Sequence, residues 1–179
     1  MFAMFNSHSL VSCRSTTGIM MLSVLFLMVT AITQDNPEER KRAELFNLYN
    51  GVALEGYDPV AYFKDDEPKK GRADLSVTHR GVTCHFATDE NRQEFLADQD
   101  RYEPLYGGYC AYSMLDGDMR NINPDMYKIV DDRLLLFYRM RFGIVNALSR
   151  WNSEADETDG GDLTLMRRAD TQWEAIYYD

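Results

Sequence analysis

Two sulfur-bearing side chains, Cys110 and Met114, are the residues whose types and spacing best suit metal chemistry. They lie in and just after the segment Leu105–Tyr112, which contains three tyrosines and the glycine pair Gly107-Gly108. A glycine pair lets the backbone turn sharply, and if a helix begins there, the two sulfurs fall four residues apart on one helix face. Soft sulfur ligands suit Cu(I). The alternative is that both residues fill the core, as buried cysteine and methionine often do.

A histidine in a predicted β-hairpin is the third candidate ligand. Residues 75–79 and 82–86 alternate between apolar and polar side chains around a two-residue turn. Because the strands pair directly outside that turn, Cys84 and His85 point to opposite faces and cannot chelate one ion together. Cys84 therefore belongs to the apolar face. His85 lies on the polar face, and it joins the sulfur pair only if the fold brings it there.

The sequence lacks the spacings that mark well-understood metal and nucleotide sites. There is no CxxC, HxxxH or HExxH pattern, no phosphate-binding loop and no dinucleotide fingerprint. The 29 acidic residues place carboxylate pairs throughout the chain, so none is singled out for acid–base catalysis. A nucleophilic pair of Cys110 with His85 requires the fold to bring the two together. No catalytic residue is therefore assigned, and a non-enzymatic role is favoured.

The charge of the chain argues against a nucleic-acid-binding role. At pH 7 the 179-residue chain carries a formal net charge of −10, whereas phosphate binding needs clustered lysine and arginine. Apolar residues make up 45%, which is typical of a globular protein. The length suits one domain that is large enough to bury a hydrophobic core.

Residues 1–33 have the pattern of an export segment. Residues 19–32 form a nearly apolar run, and Arg14 is the only charged residue among the first 34. The run is short for a membrane-spanning helix, which needs about 20 residues, and it suits a secretory signal or an uncleaved N-terminal anchor. We therefore predict an exported protein, periplasmic or extracellular, with one domain over residues 34–179. Cleavage would leave Cys84 and Cys110, and a disulfide between them is one alternative.

The periodicity of the remaining chain predicts an α+β fold, with a small antiparallel sheet built from two β-hairpins and packed with several short helices. The second hairpin pairs residues 126–130 with residues 133–138. Both faces of its last strand are apolar, which predicts that other elements cover it. Helices are predicted over residues 37–49, after a cap at Thr88, over 139–151 and over 163–178, with an acidic loop at 153–162.

Seven segments between Asn50 and Trp173 resemble, in their order, the long form of the exported YHS-domain family of bacteria. They are GYDPVAYF at Gly56–Phe63, FAT at Phe86–Thr88, ENRQEF at Glu90–Phe95, DRY at Asp100–Tyr102, YGGYCAY at Tyr106–Tyr112, VDDRLLLFY at Val130–Tyr138, and Trp151 with ADTQW at Ala169–Trp173. The resemblance implies a small α+β domain. Shorter modules of this kind resemble metal-binding domains whose cysteines follow the second hairpin strand. Here Ala87 stands at that place, so only Cys110 carries over as a matching position.

Three functions follow as hypotheses. The first is an exported, non-enzymatic protein that binds a soft metal such as copper through Cys110, Met114 and His85. The second is a thiol-based redox protein in which Cys110 reacts alone or pairs with Cys84. The third is a structural or partner-binding module without a small ligand, in which the tyrosines are core and the acidic surface recognises the partner. No membrane contact is expected beyond the N-terminal segment.

Overall fold

The computed structural model describes residues 36–65, 67–138 and 146–178. Asn36–Asp179 forms one compact unit. The signal or anchor predicted at residues 1–33 lies outside the described residues. Within the described ranges, no helix combines the length and the apolar character that crossing a membrane requires.

The α+β fold class is confirmed. The described helices are α1 (Pro37–Leu45), α2 (Ala61–Lys64), α3 (Asp89–Ala97), α4 (Ala111–Met114), α5 (Ala147–Glu157) and α6 (Gly161–Tyr178). The described strands are β1 (Leu48–Tyr49), β2 (Val52–Ala53), β3 (Arg72–His79), β4 (Val82–Phe86), β5 (Asn123–Val130) and β6 (Arg133–Phe137). Two short 3₁₀ turns occupy Leu54–Gly56 and Leu105–Gly108.

Both predicted hairpins form, but they belong to separate sheets. Strands β3 and β4 pair antiparallel with His79 opposite Val82, the register expected for strands that pair directly outside the turn. The second edge of β4 is taken by β2, which runs parallel to it with Val52 opposite Thr83. The first sheet therefore has the order β1-β2-β4-β3, and β5 and β6 form a two-stranded sheet of their own.

The last hairpin strand is covered on both faces, as its apolar pattern predicts. Residues Leu134–Phe137 of β6 are buried. Phe137 packs edge-to-face against Trp151 of α5, with ring centroids 5.6 Å apart. Cys110 and Pro104 form isolated bridges to β6, at Leu136 and Leu134 respectively. Burial of this strand places the core of the domain around β6.

The helix boundaries differ from the prediction at two places. Helix α1 ends at Leu45 instead of residue 49, because Leu48–Tyr49 pairs with Val52–Ala53 across a tight turn. The acidic stretch predicted as a loop at residues 153–162 is helical through Glu157, since α5 buries one face of that stretch in the core. The cap predicted at Thr88 is confirmed, because its hydroxyl accepts a hydrogen bond from the Asn91 N–H at 3.1 Å. Residues 139–145 of the predicted helix 139–151 lie outside the described residues.

A buried carboxylate joins the first sheet to the helices around it. Asp58 is 0% exposed. Its Oδ1 accepts hydrogen bonds from the N–H groups of Val60 and Ala61, at 2.9 and 3.3 Å. Its Oδ2 accepts from the Ala87 N–H at 2.8 Å and from the Asn91 amide at 2.7 Å. One side chain thus caps α2 and holds it against the β4–α3 junction.

Candidate functional site

Cys110 is a core residue at the start of a short helix. The glycine pair before it forms a 3₁₀ turn in left-handed conformation, and α4 begins at Ala111, immediately after the cysteine. The Cys110 side chain is 0% exposed. Its Sγ accepts a hydrogen bond from the Tyr138 N–H at 3.2 Å, and its own N–H donates to the Arg120 carbonyl at 3.0 Å. The thiol is therefore held in place by backbone groups inside the core.

The structure brings two of the three predicted metal ligands together. Met114 lies one helical turn after Cys110, its N–H donates to the Cys110 carbonyl at 3.0 Å, and it is also 0% exposed. Neither Cys110 nor Met114 lines any of three clefts that the described residues form. His85 packs in the first sheet, where a Cβ placed on Gly56 would lie 3.5 Å from its Nδ1, and its backbone lies against Gly71. The surroundings of His85 thus come from other parts of the chain.

The second cysteine of the domain has the properties of an inert buried thiol. Cys84 and Cys110 are both free and buried. Burial, together with the nearby negative charge of Glu103, raises the pKa of the Cys84 thiol to about 12. Because the thiolate is the reactive form of cysteine, Cys84 is a poor nucleophile at neutral pH.

The described residues form a cleft of about 510 Å³, which we call the aromatic cleft. Phe46, after the end of α1, and Trp173 and Tyr177 of α6 supply its aromatic surface. The Trp173 and Tyr177 rings lie 6.0 Å apart between centroids. Tyr106 and Gly107 of the second 3₁₀ turn also line it. The volume falls in the range of small-ligand sites.

Each arginine at the aromatic cleft faces a carboxylate that also lines it. Three pairs share this arrangement: Arg42 with Glu103, Arg80 with Asp100 at 3.3 Å, and Arg133 with Asp170 at 3.5 Å. A fourth carboxylate, Glu174, lines the cleft without a hydrogen bond or ion pair to any described residue. The cleft therefore carries one uncompensated negative charge next to aromatic rings.

A strained turn forms one wall of the aromatic cleft. Tyr106 has a left-handed backbone with φ of 56°, a conformation that is costly for a residue with a side chain. Its hydroxyl donates to Asp170 Oδ1 at 3.1 Å and lies 3.3 Å from the Met166 carbonyl. Burial, followed by the charge of Asp170, raises the pKa of Tyr106, so the hydroxyl stays protonated as a donor. Gly107 has φ of 59°, and a Cβ there would meet the Leu45 carbonyl at 2.9 Å and Trp173 Cη2 at 3.0 Å.

Sequence reasoning missed the residues that surround the aromatic cleft. The sequence places Trp173 on the apolar side of the terminal helix and in the ADTQW motif, and Tyr106 among the tyrosines of the glycine-rich segment, but it connects neither residue to a cleft. The cleft unites residues from positions 42 to 178, and no spacing in the sequence connects them. The one local signal that could have found the cleft is the position of Glu174 directly beside Trp173 on the last helix.

A second group missed by the sequence lies beside this cleft. His79, Asp100 and Glu103 each offer a ligand atom, and these atoms lie within 4.8 Å of one another. His79 is at the end of β3, on the same face as Cys84, while the two carboxylates follow α3.

Comparison of the chain with family models, with curated proteins and with solved structures gave no match in any of the three.

Proposed function

We propose that this chain is a non-catalytic binding module whose aromatic cleft takes a cationic group, namely an arginine side chain of a protein or peptide partner. The observation that carries the proposal is Glu174, which lines the cleft beside Trp173 and Tyr177 and has no counter-ion among the described residues. A guanidinium can stack on an aromatic face and meet a carboxylate at its edge.

The charges of the cleft favour a cation over an anion. The three arginines that could attract an anion are each paired with a carboxylate. The formal charge of the whole chain, −10, adds a long-range attraction for cations. An anionic ligand would have to break one of these pairs and also overcome the repulsion of Glu174. An arginine side chain finds aromatic surface and an uncompensated charge already present.

The test is a titration of the full chain with an acetylated tri-arginine peptide, followed by tryptophan fluorescence. Tri-citrulline is the neutral control, because citrulline keeps the shape of arginine without its charge. We expect saturable quenching by tri-arginine and none by tri-citrulline. Glu174→Gln should weaken binding about twofold to fivefold, the scale of one exposed ion pair.

A charge-matched variant separates a local site from general attraction. Glu90→Gln removes one exposed negative charge from α3, outside the residues that line the cleft. If Glu90→Gln weakens binding as much as Glu174→Gln, or if tri-citrulline binds as tightly as tri-arginine, the proposal is wrong.

A Cu(I) site at Cys110 and Met114 has weaker support, since both side chains are fully buried and His85 lies among other residues. An ion would reach the sulfurs only by displacing core side chains. Titration of the reduced full chain with Cu(I), wild type beside Cys110→Ser and Cys84→Ser, tests it. One-to-one binding that is lost only in Cys110→Ser would favour copper handling over arginine binding.

The family resemblance and the export of the chain are proposals as well. The ordered motifs support the first, and the apolar run at residues 19–32 supports the second. N-terminal sequencing of the protein recovered from a bacterial periplasm tests export. A mature N-terminus near residue 32 would agree with a cleaved signal, and an intact protein confined to the cytoplasm would contradict export.

A further inference from the structure

One buried nitrogen in the domain has no hydrogen bond. His79 Nε2 is inaccessible to solvent, and among the described residues it is the only buried side-chain nitrogen or oxygen that lacks a partner. The side chain as a whole is 17% exposed, so the unpartnered atom points inward. Buried polar atoms are nearly always satisfied, and an exception calls for an explanation such as an ion that binds there.

Two carboxylates lie near the His79 ring. Asp100 Oδ1 lies 3.7 Å from His79 Nε2, too far for a hydrogen bond. One ring nitrogen of His79, one oxygen of Asp100 and one oxygen of Glu103 lie within 4.8 Å of one another. Ligands bound to one Zn²⁺ at about 2.0–2.2 Å are separated by roughly 3.3–3.6 Å in a tetrahedral site. The three groups therefore need to close by little more than an ångström, and Asp100, which is 70% exposed, is free to move.

A buried guanidinium holds two of these groups in position. Arg42 donates to the carbonyls of His79 and Arg80, at 3.1 and 3.0 Å, and contacts Glu103 Oε2. The guanidinium also lies 4.4 Å over the Phe46 ring. Arg42 thus fixes the end of β3 relative to Glu103. Support of this kind from outside the ligand set is a regular feature of metal sites.

Two arginines compete with a metal ion at this place. Arg80 pairs with Asp100 at 3.3 Å, but the two side chains are 56% and 70% exposed, and such exposed pairs are weak and screened by salt. An incoming ion can therefore displace Arg80. Arg42 is buried and stays beside Glu103. Its positive charge therefore lowers the affinity of the site for a metal ion without blocking the site.

We propose that His79, Asp100 and Glu103 bind one Zn²⁺ ion, with water from the aromatic cleft completing the coordination. An imidazole with two carboxylates is a nitrogen and oxygen set that suits zinc and does not call for a soft ion. Asp100 and Glu103 also line the cleft, which supplies a path for the ion and the water. His79 does not line the cleft, so a substitution of His79 tests the zinc site without changing a cleft residue.

The first test is calorimetric titration of the full chain with zinc chloride, wild type beside His79→Gln. His85→Gln is the matched control, since it removes the other hairpin histidine. His8 and Cys13 lie outside the described residues. Zinc binding at the proposed site is therefore taken as the difference between the titration of the wild type and that of the variant. In His79→Gln we expect the zinc affinity of one binding event to fall at least roughly tenfold. Loss of an outer partner alone has an effect of that size in metal sites. His85→Gln should bind as the wild type does.

Two further variants keep the proposal falsifiable if His79→Gln folds poorly. Asp100→Asn changes an exposed side chain and should also weaken zinc binding. Arg80→Asn should tighten it, because it removes the competing cation, and asparagine tolerates the left-handed backbone at this position, where φ is 45°. A purely structural role for these residues does not produce tighter zinc binding.

The outcomes separate clearly. Zinc binding of equal affinity in wild type, His79→Gln and Asp100→Asn would overturn the proposal, as would unchanged affinity in Arg80→Asn. Tri-arginine binding should survive in His79→Gln, so a failure of the cleft proposal and a failure of the zinc proposal are distinguishable.

Discussion

The hydroxyl of Tyr106 donates a hydrogen bond of 3.1 Å to Oδ1 of Asp170, and this bond ties two parts of the chain that are 64 residues apart. Arg133 reaches the other oxygen of Asp170 at 3.5 Å. Helix α6, which carries Trp173 and Glu174, is therefore anchored to the strained turn before Cys110. The position of this helix determines whether the aromatic cleft exists.

Replacing Tyr106 with phenylalanine removes that anchor while keeping the ring. We expect Tyr106→Phe to lower the free energy of unfolding by about 1–2 kcal/mol, because it removes a hydrogen bond from a buried hydroxyl to the half-buried, charged carboxylate of Asp170. Urea unfolding measures the change. Tyr112→Phe is the control, since its hydroxyl has no hydrogen bond in the part of the chain that the structure describes. Equal effects of the two variants would show that the Tyr106 bond contributes nothing of its own.

Adding a methyl group at Gly107 should damage the same turn. Gly107→Ala places a Cβ 2.9 Å from the Leu45 carbonyl and 3.0 Å from Trp173, at φ of 59°. We expect a loss of roughly 2–4 kcal/mol in stability, from left-handed strain and the clash together. Thermal or urea unfolding measures this loss.

Gly51→Ala separates strain from contact. Gly51 also has a positive φ, of 79°, but a Cβ there would meet nothing within 4 Å. We expect this control to lose only about 1 kcal/mol, the backbone part of the effect. If Gly107→Ala lowers the stability no more than Gly51→Ala does, the inference that Gly107 packs closely against α6 is wrong.

Asp58 should be the most sensitive carboxylate of the domain. Asp58→Asn keeps the shape but replaces one accepting oxygen with a donor that faces other donors, at a side chain that is 0% exposed. A loss of roughly 2–4 kcal/mol is expected, since the variant leaves buried N–H groups unsatisfied. Chemical unfolding checks it, and Asp116→Asn on the surface should have almost no effect. A small loss at both positions would contradict the role of Asp58.

Alkaline pH should destabilise the domain partly through Cys84. A thiol in the unfolded chain titrates near about 8.5, whereas burial raises the pKa of folded Cys84 to about 12. Because the folded value is the higher one, the contribution of Cys84 is complete below the unfolded value and is lost as the pH rises toward the folded value. Cys84→Ala should therefore lose less stability than the wild type between about pH 8 and 10.5, measured by urea unfolding. An identical pH dependence of the two proteins would exclude this contribution.

Local patterns predicted the secondary structure well where a short segment contains the whole signal. The alternation of residues 75–86 was sufficient for the β3–β4 hairpin and for the inward side of Cys84, both of which are confirmed. The cap at Thr88 followed from its residue type and the acidic first turn. The acidic stretch at 153–162 was predicted wrongly, because burial of Trp151 and Ala155 extends helix α5 beyond what local propensity indicates.

Sequence alone determined an α+β domain with two hairpins, a terminal helix and Cys84 on an apolar strand face, because these features depend on neighbours within a few residues. Only the tertiary structure decided that the hairpins lie in separate sheets, that His79 faces Asp100 and Glu103, and that Trp173 meets Gly107. These contacts join residues more than 20 positions apart. These contacts form only when particular apolar faces pack together. Which faces pack depends on the burial of apolar surface across the whole chain, and no spacing within the sequence determines it.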